Sequence, residues 1–157
     1  MTGVIPAAGE ARRLQPLPGS KELLTVGGRP VMDHLVERMR AVGAEVTVVT
    51  RPDKRDVIEH ARRLELNVVV GRPQSVSESI LLGVGEGETI VLGFPDTVWE
   101  PRDGFAHLLR ALDGVDVALG VFESEEPERS DVVILDEDRV AAVDVKPLRP
   151  RSSLVWG

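Results

Sequence analysis

Four stretches of this chain carry residue types suited to chemistry on an anion. The first is Ala7-Ala8-Gly9-Glu10-Ala11-Arg12-Arg13, with Lys21 a few residues further on. Small residues at 7, 8, 9 and 11 let the backbone approach a ligand closely and turn its N–H groups inward. Arg12, Arg13 and Lys21 place positive charge beside them, and a guanidinium grips phosphate through two parallel hydrogen bonds. No Gly-Lys-Ser/Thr follows, so this is not a P-loop, and the glycine spacing of the dinucleotide fingerprint is absent. By composition alone the same stretch also reads as a surface loop with incidental basic residues. An alanine at position 11 calls for a negative φ.

The second stretch is Gly93-Phe94-Pro95-Asp96-Thr97, which closes an apolar run. A carboxylate there can hold a divalent ion, since Mg²⁺ needs only one or two protein carboxylates beside phosphate oxygens. An aspartate after a strand also reads as a plain turn former. In the third, Gly71 to Ser79, Ser75-Val76-Ser77 offers hydroxyls and helix-N-terminal N–H groups to an anion, with Gln74 alongside. The fourth is Lys146, in Val143-Asp144-Val145-Lys146-Pro147, which taken by itself is a solvated lysine at a strand end.

These residues must be positioned by the elements around them. Apolar runs of strand length at Thr2–Ile5, Val46–Thr50, Val68–Val70, Thr89–Phe94 and Val115–Val121 lack a polar alternation, as expected of strands covered on both faces. Helical patterns lie between them. Pro30–Ala41 has Pro at its start, Asp33 in its first turn, Arg38 and Arg40 in its last, and Gly43 beyond. Asp53–Leu64, Ser77–Gly83 and Gly104–Leu112 are further candidates. Strand alternating with helix predicts a Rossmann-like three-layer α/β/α fold with a mostly parallel central sheet. Val132–Leu135, the turn Asp136-Glu137-Asp138 and Val140–Val145 predict a late β-hairpin, and Ser153–Gly157 reads as the start of another strand. In such a sheet ligands bind beyond the carboxyl ends of the strands, where three of the four stretches fall.

Composition bounds the function classes. A chain of 157 residues suits a single domain with one sizeable core. A net charge of −7 and 3% aromatic residues argue against nucleic acid as a partner, while leaving room for a local polyphosphate site. No run approaches the length of a membrane span, and the N-terminus has no secretory pattern. The absence of cysteine removes disulfides and thiolate sites, and with the rest it fits a cytoplasmic protein. His34, His60 and His107 fall in helical patterns without metal-ligand spacing and read as structural or surface residues.

Val4-Ile5-Pro6-Ala7-Ala8-Gly9-Glu10-Ala11-Arg12-Arg13-Leu14, with Ser20-Lys21-Glu22-Leu23-Leu24 and Gly28-Arg29-Pro30-Val31, resembles the signature of the sugar-1-phosphate nucleotidylyltransferases. That family includes glucose-1-phosphate thymidylyl- and uridylyltransferases, and the similarity extends through Lys146. The resemblance implies transfer of an NMP group from a nucleoside triphosphate to a sugar 1-phosphate or similar phosphomonoester, with release of pyrophosphate. It implies that Arg13 and Lys21 are the catalytic cations, and that residues 7–12, Gln74 and Ser77 contact the nucleotide. Asp96 would bind Mg²⁺ and Lys146 the sugar phosphate. Ala11 stands where the family usually has Gly, and Val145 where it has a sugar-binding Glu. A second metal-binding aspartate belongs to a part of the family's fold that follows Gly157, so the chain reads as a domain missing its C-terminal part. A noncatalytic nucleotide- or sugar-phosphate-binding, regulatory domain is the alternative. Cytidylyltransferases for polyol phosphates and guanylyltransferases for a molybdenum cofactor share a similar opening loop, and Lys146-Pro147 favours the sugar-phosphate branch. Base, sugar and a possible homo-oligomer are left open.

Overall fold

The computed structural model describes residues 1–11, 16–85 and 89–156. The chain divides into two compact units, Met1–Phe105 and Ala106–Gly157.

The first unit is built on a parallel sheet of strands β1 (Thr2–Pro6), β4 (Glu45–Thr50), β5 (Asn67–Val70) and β6 (Ile90–Leu92), in the order β5-β4-β1-β6. Helices α1 (Val31–Ala41), α2 (Arg55–Arg63) and α3 (Val76–Gly83) connect them, as the alternating pattern predicts. β1 lies at the centre, paired with β4 from Thr2↔Glu45 to Pro6↔Val49 and with β6 from Thr2↔Ile90 to Val4↔Leu92. Its residues Val4 and Ile5 are fully buried although they point to opposite faces, which is the signature of a strand covered on both sides.

Close approaches assign the layers. A Cβ on Gly3 would meet Met39 of α1 at 3.0 Å, whereas one on Gly83 of α3 would meet Val4 and Val49 at 2.7 and 2.8 Å. Since Gly3 and Val4 alternate along one strand, α1 and α3 cover opposite faces. α2 lies on the α1 side, where His60 bonds Asp33 at 2.6 Å. Leu35 and Met39 of α1 are fully buried, each contributing about 1.5–3 kcal/mol. The same helix presses on the residue after β6: a Cβ on Gly93 would lie 2.5 Å from the Leu35 Cδ1, so any larger residue there would have to displace that buried side chain.

Two short elements precede α1. Lys21–Leu23 forms a 3-10 turn, and β2 (Thr25–Val26) pairs with β3 (Arg29–Pro30) across Gly27 and Gly28, both at positive φ. This ladder of two residues a side carries too little periodicity to be read from sequence. Trp99 meets Phe105 edge-on at 5.3 Å, and Arg38 of α1 stacks over the Trp99 ring at 4.7 Å, so the segment following Asp96 is tied back to α1.

Helix α4 (Gly104–Ala111) leads into the second unit, an antiparallel sheet in the order β7-β10-β8-β9: β7 (Val121–Glu123), β8 (Val132–Asp136), β9 (Arg139–Asp144) and β10 (Leu154–Trp156). β8 and β9 form the expected hairpin, closed at Asp136↔Arg139 and bulged between Ile134 and Leu135. The run Val115–Val121 does not form the predicted strand. Among the described residues its ladder begins at Val121, opposite Trp156 of β10, and Val117 is largely exposed. Among the described residues no helix is long and apolar enough to cross a membrane.

Candidate functional site

The four parallel strands of the first unit end on the same side, at Pro6, Thr50, Val70 and Leu92. The segments that follow them enclose a cavity of about 670 Å³, within the range of small-molecule sites. Each strand end supplies part of its wall: Ala8 to Ala11 after β1, Arg51 after β4, Arg72 to Val76 after β5, and Phe94 to Asp96 after β6. Lys21 and Ser79 complete it among the described residues.

Lys21 and Asp96 were expected to act together, and the fold brings them into contact. Seventy-five positions apart in sequence, they pair at 2.5 Å, Lys21 Nζ donating to Asp96 Oδ2. The 3-10 turn holds Lys21 through its neighbours. The Ser20 N–H and hydroxyl both donate to the Asp56 carboxylate of α2, at 2.9 and 2.8 Å. Glu22 is fully buried and accepts from Lys54 Nζ at 2.7 Å. Burial alone would raise the Asp56 pKa, but the hydrogen bonds from Ser20 outweigh it and hold the carboxyl below its ordinary range.

The loop after β1 divides into support and wall. Ala7 is fully buried, its N–H donates to Val49 O at 2.8 Å, and its carbonyl accepts from Lys54 Nζ at 3.0 Å. That residue is therefore an anchor for the loop, with no N–H left for a ligand. Ala8, Gly9, Glu10 and Ala11 do line the cavity. A Cβ on Gly9 would meet nothing within 4 Å, so protein packing does not demand glycine there. Ala11 lies at φ +50°, against the negative φ expected of it. The left-handed backbone costs an alanine about 1–2 kcal/mol. Arg12 and Arg13 lie outside the described residues.

Arg51 bridges two carboxylates, Glu10 at 2.5 Å and Asp53 at 3.2 Å, and Arg72 approaches Asp53 at 3.8 Å. The Glu10 and Asp53 bonds push the Arg51 pKa up, while Arg51 holds Asp53 down. Gln74 also lines the cavity and donates its amide to Arg72 O at 3.0 Å. Ser75 caps α3 by accepting the Glu78 N–H at 3.1 Å. Ser77 is exposed and is not part of the wall. Ser79 lines the cavity instead; it is 3% exposed, and among the described residues its hydroxyl has no hydrogen-bond partner. Helical spacing from the Ser75 cap is the signal that would have found it, one turn further along the same face.

Among the described residues no cluster of three His, Asp or Glu side chains is placed to hold a metal by itself. Asp96, half exposed at the cavity, suits an ion that arrives with phosphate oxygens and keeps much of its water. Lys146 belongs to the second unit, where it follows β9 with φ +40° and is exposed. Nearby Asp144 is gripped by Arg151 through two bonds of 2.9 and 2.8 Å, which hold its carboxyl below the usual range.

A parallel sheet with a small-residue loop after its first strand and a carboxylate after its last is an α/β frame whose site lies at the strand ends. Residues 3–144 match the MobA-like NTP transferase domain, and the chain belongs to that family. Curated relatives include bifunctional protein GlmU of Methanocaldococcus jannaschii, 24% identical over 99% of this chain but only 38% of that protein. UTP–glucose-1-phosphate uridylyltransferase AglF of Haloferax volcanii is 28% identical over 99% of this chain and 69% of its own length. The chain thus spans well under half of the GlmU protein it matches. Among solved structures, a candidate glucose-1-phosphate thymidylyltransferase from Bacillus anthracis in complex with sucrose superposes with a TM-score of 0.80. It is 20% identical, and the match covers 99% of this chain and 68% of that one. HddC from Yersinia pseudotuberculosis gives 0.77 at 17% identity, covering 98% and 72%. At these identities the likeness establishes the Rossmann-like nucleotidyltransferase fold.

Proposed function

We propose that this chain transfers a nucleotidyl group from a nucleoside triphosphate to a sugar 1-phosphate or a similar phosphomonoester. The observation that carries the reading is the meeting of Lys21 and Asp96 in a cavity formed at four parallel strand ends. An oxygen of the acceptor phosphate attacks the α-phosphorus, the bond from that phosphorus to the bridging oxygen breaks, and pyrophosphate leaves. The protein supplies no nucleophile; its contribution is placement and charge.

In this reading the cavity-lining loop from Ala8 to Ala11 approaches the triphosphate, with Arg12 and Arg13 following it. Lys21 turns from Asp96 to the phosphates, and Asp96 is left to hold Mg²⁺. That ion, when bound, supplies neutralisation of phosphate oxygens. Gln74 and Ser79, which line the cavity, are assigned to the nucleoside. Lys146 is assigned to the acceptor phosphate on its Lys-Pro sequence context alone.

A second reading, binding without turnover, is favoured by one local fact. Val145, where a sugar-binding glutamate is expected, is 76% exposed and offers no polar group. The two readings separate in a matrix of nucleoside triphosphates against sugar 1-phosphates with Mg²⁺, scored by pyrophosphate. Transfer predicts release with at least one pair, and a fall of about 10²–10³ in Lys21→Ala, the usual loss when one charge-stabilising donor is removed. Undiminished release by Lys21→Ala would remove Lys21 from the mechanism.

A further inference from the structure

Lys54 has no counterpart among the residues singled out from sequence, yet one ammonium joins the bases of two segments that supply the cavity wall, the loop after β1 and the turn of Lys21. It donates to Ala7 O at 3.0 Å, where the loop after β1 begins, and to Glu22 Oε1 at 2.7 Å, in the turn that carries Lys21. Both charges are withdrawn from water, with Glu22 0% and Lys54 11% exposed. One residue before Lys21, Ser20 is held twice by Asp56, from the same first turn of α2. Lys21 is thus fastened on both flanks to one helix start, and through Lys54 to the base of the loop after β1.

We infer that Lys54 is a positioning residue: it fixes the separation between the loop at Ala7 and the Lys21 turn, and so the place of the Lys21 ammonium against the triphosphate. This rests on the reading that Lys21 acts on phosphate. A buried ion pair serving stability alone would need neither the second bond to Ala7 nor adjacency to the reacting lysine. Pairs of that kind are often replaceable by apolar side chains of similar volume without loss of stability. Replacement therefore separates the two roles.

The experiment compares wild type with Lys54→Met/Glu22→Met, which removes both charges together, and with Lys54→Arg, which keeps the charge but alters the reach. Three quantities are read: unfolding midpoint in urea, pyrophosphate release against triphosphate concentration, and amide hydrogen exchange. The exchange probes are the N–H groups of Ala7, Leu23 and Leu24, bonded to Val49, Ser20 and Lys21. Positioning predicts kcat lowered about tenfold or more, with KM moved less than about threefold, in variants whose midpoint is unchanged; misplacement of about 1 Å carries losses of that order. Exchange at Leu23 and Leu24 rises about tenfold in the double variant while that of α2 stays as it was. Should the double variant not fold, Lys54→Arg decides by the same comparison. Turnover within twofold of wild type, or turnover that simply tracks stability, overturns the proposal. If wild type itself releases no pyrophosphate with any pair of substrates, the proposed function fails, and exchange at Leu23 and Leu24 alone decides whether the clamp exists.

Discussion

Two lysine–carboxylate pairs meet at the turn after the cavity loop, and they use consecutive residues of it. Lys21 reaches out to Asp96, with the partners 21% and 41% exposed, while Glu22 reaches inward to Lys54, with neither partner more than 11% exposed. The chemistry is the same and the surroundings are opposite. In water an ion pair contributes about 0–1 kcal/mol and opens readily; withdrawn from water it resists the loss of either partner. The outer pair can therefore exchange its partners for a ligand, and the inner pair holds the frame in which that exchange happens. Burial decides which of two identical contacts is machinery and which is scaffold.

The largest effect is expected on the inner pair. Glu22→Ala leaves the Lys54 ammonium almost buried without its carboxylate and should destabilise by about 3–5 kcal/mol in urea unfolding. A value below about 1 kcal/mol would put the inner pair on the same footing as the outer one.

Next comes Asp56, the carboxylate that fastens the turn from its other side. Asp56→Asn keeps an acceptor oxygen but loses the charge, at about 1 kcal/mol near neutral pH. Because the folded pKa is depressed by Ser20, this contribution is present above the ordinary carboxyl value and disappears as the pH falls through the lower folded value. The stability gap between wild type and Asp56→Asn should narrow on acidification below about pH 4. A gap that widens there would contradict the assigned bonds.

The smallest effect belongs to the outer pair. A double-mutant cycle with Lys21→Ala and Asp96→Ala should give a coupling of about 0–1 kcal/mol in the protein without ligand. Coupling above about 2 kcal/mol would mean that the pair is itself a structural strut, and that opening it opposes ligand entry.

Most of the frame was legible in the sequence because it follows from local pattern. The apolar runs at Thr2–Ile5 and Val46–Thr50 and the stripe Val31, Leu35 and Met39 became β1, β4 and α1 within a residue or so. Asp96 and Lys21 stand out by their places after a strand and a small-residue loop and by the family resemblance, and the fold pairs them at the cavity. What escaped depends on partners distant in the chain. Glu22 sits in a Lys-Glu-Leu-Leu run that looks solvent-facing, and only Lys54 lets it be fully buried. Ser79 resembles any serine of a helix until the fold turns it into the cavity wall. Val115–Val121 shows the reverse failure: its apolar pattern suits a strand, but among the described residues its ladder with β10 starts at Val121.

The described cations of the cavity wall are each matched by carboxylates, Lys21 by Asp96, Arg51 by Glu10 and Asp53, and Arg72 by Asp53. In a chain of net charge −7 such carboxylates are built-in counterions. On the proposed reading, a polyanion entering with its own cation would meet an ion exchanger: the anion would take the lysine and arginines, the cation the carboxylates, and little salt need be shed to the solvent. Entry of this kind would be less sensitive to ionic strength than three bare cations would make it, and would favour a metal-bound phosphate over a naked one before any bond is made or broken.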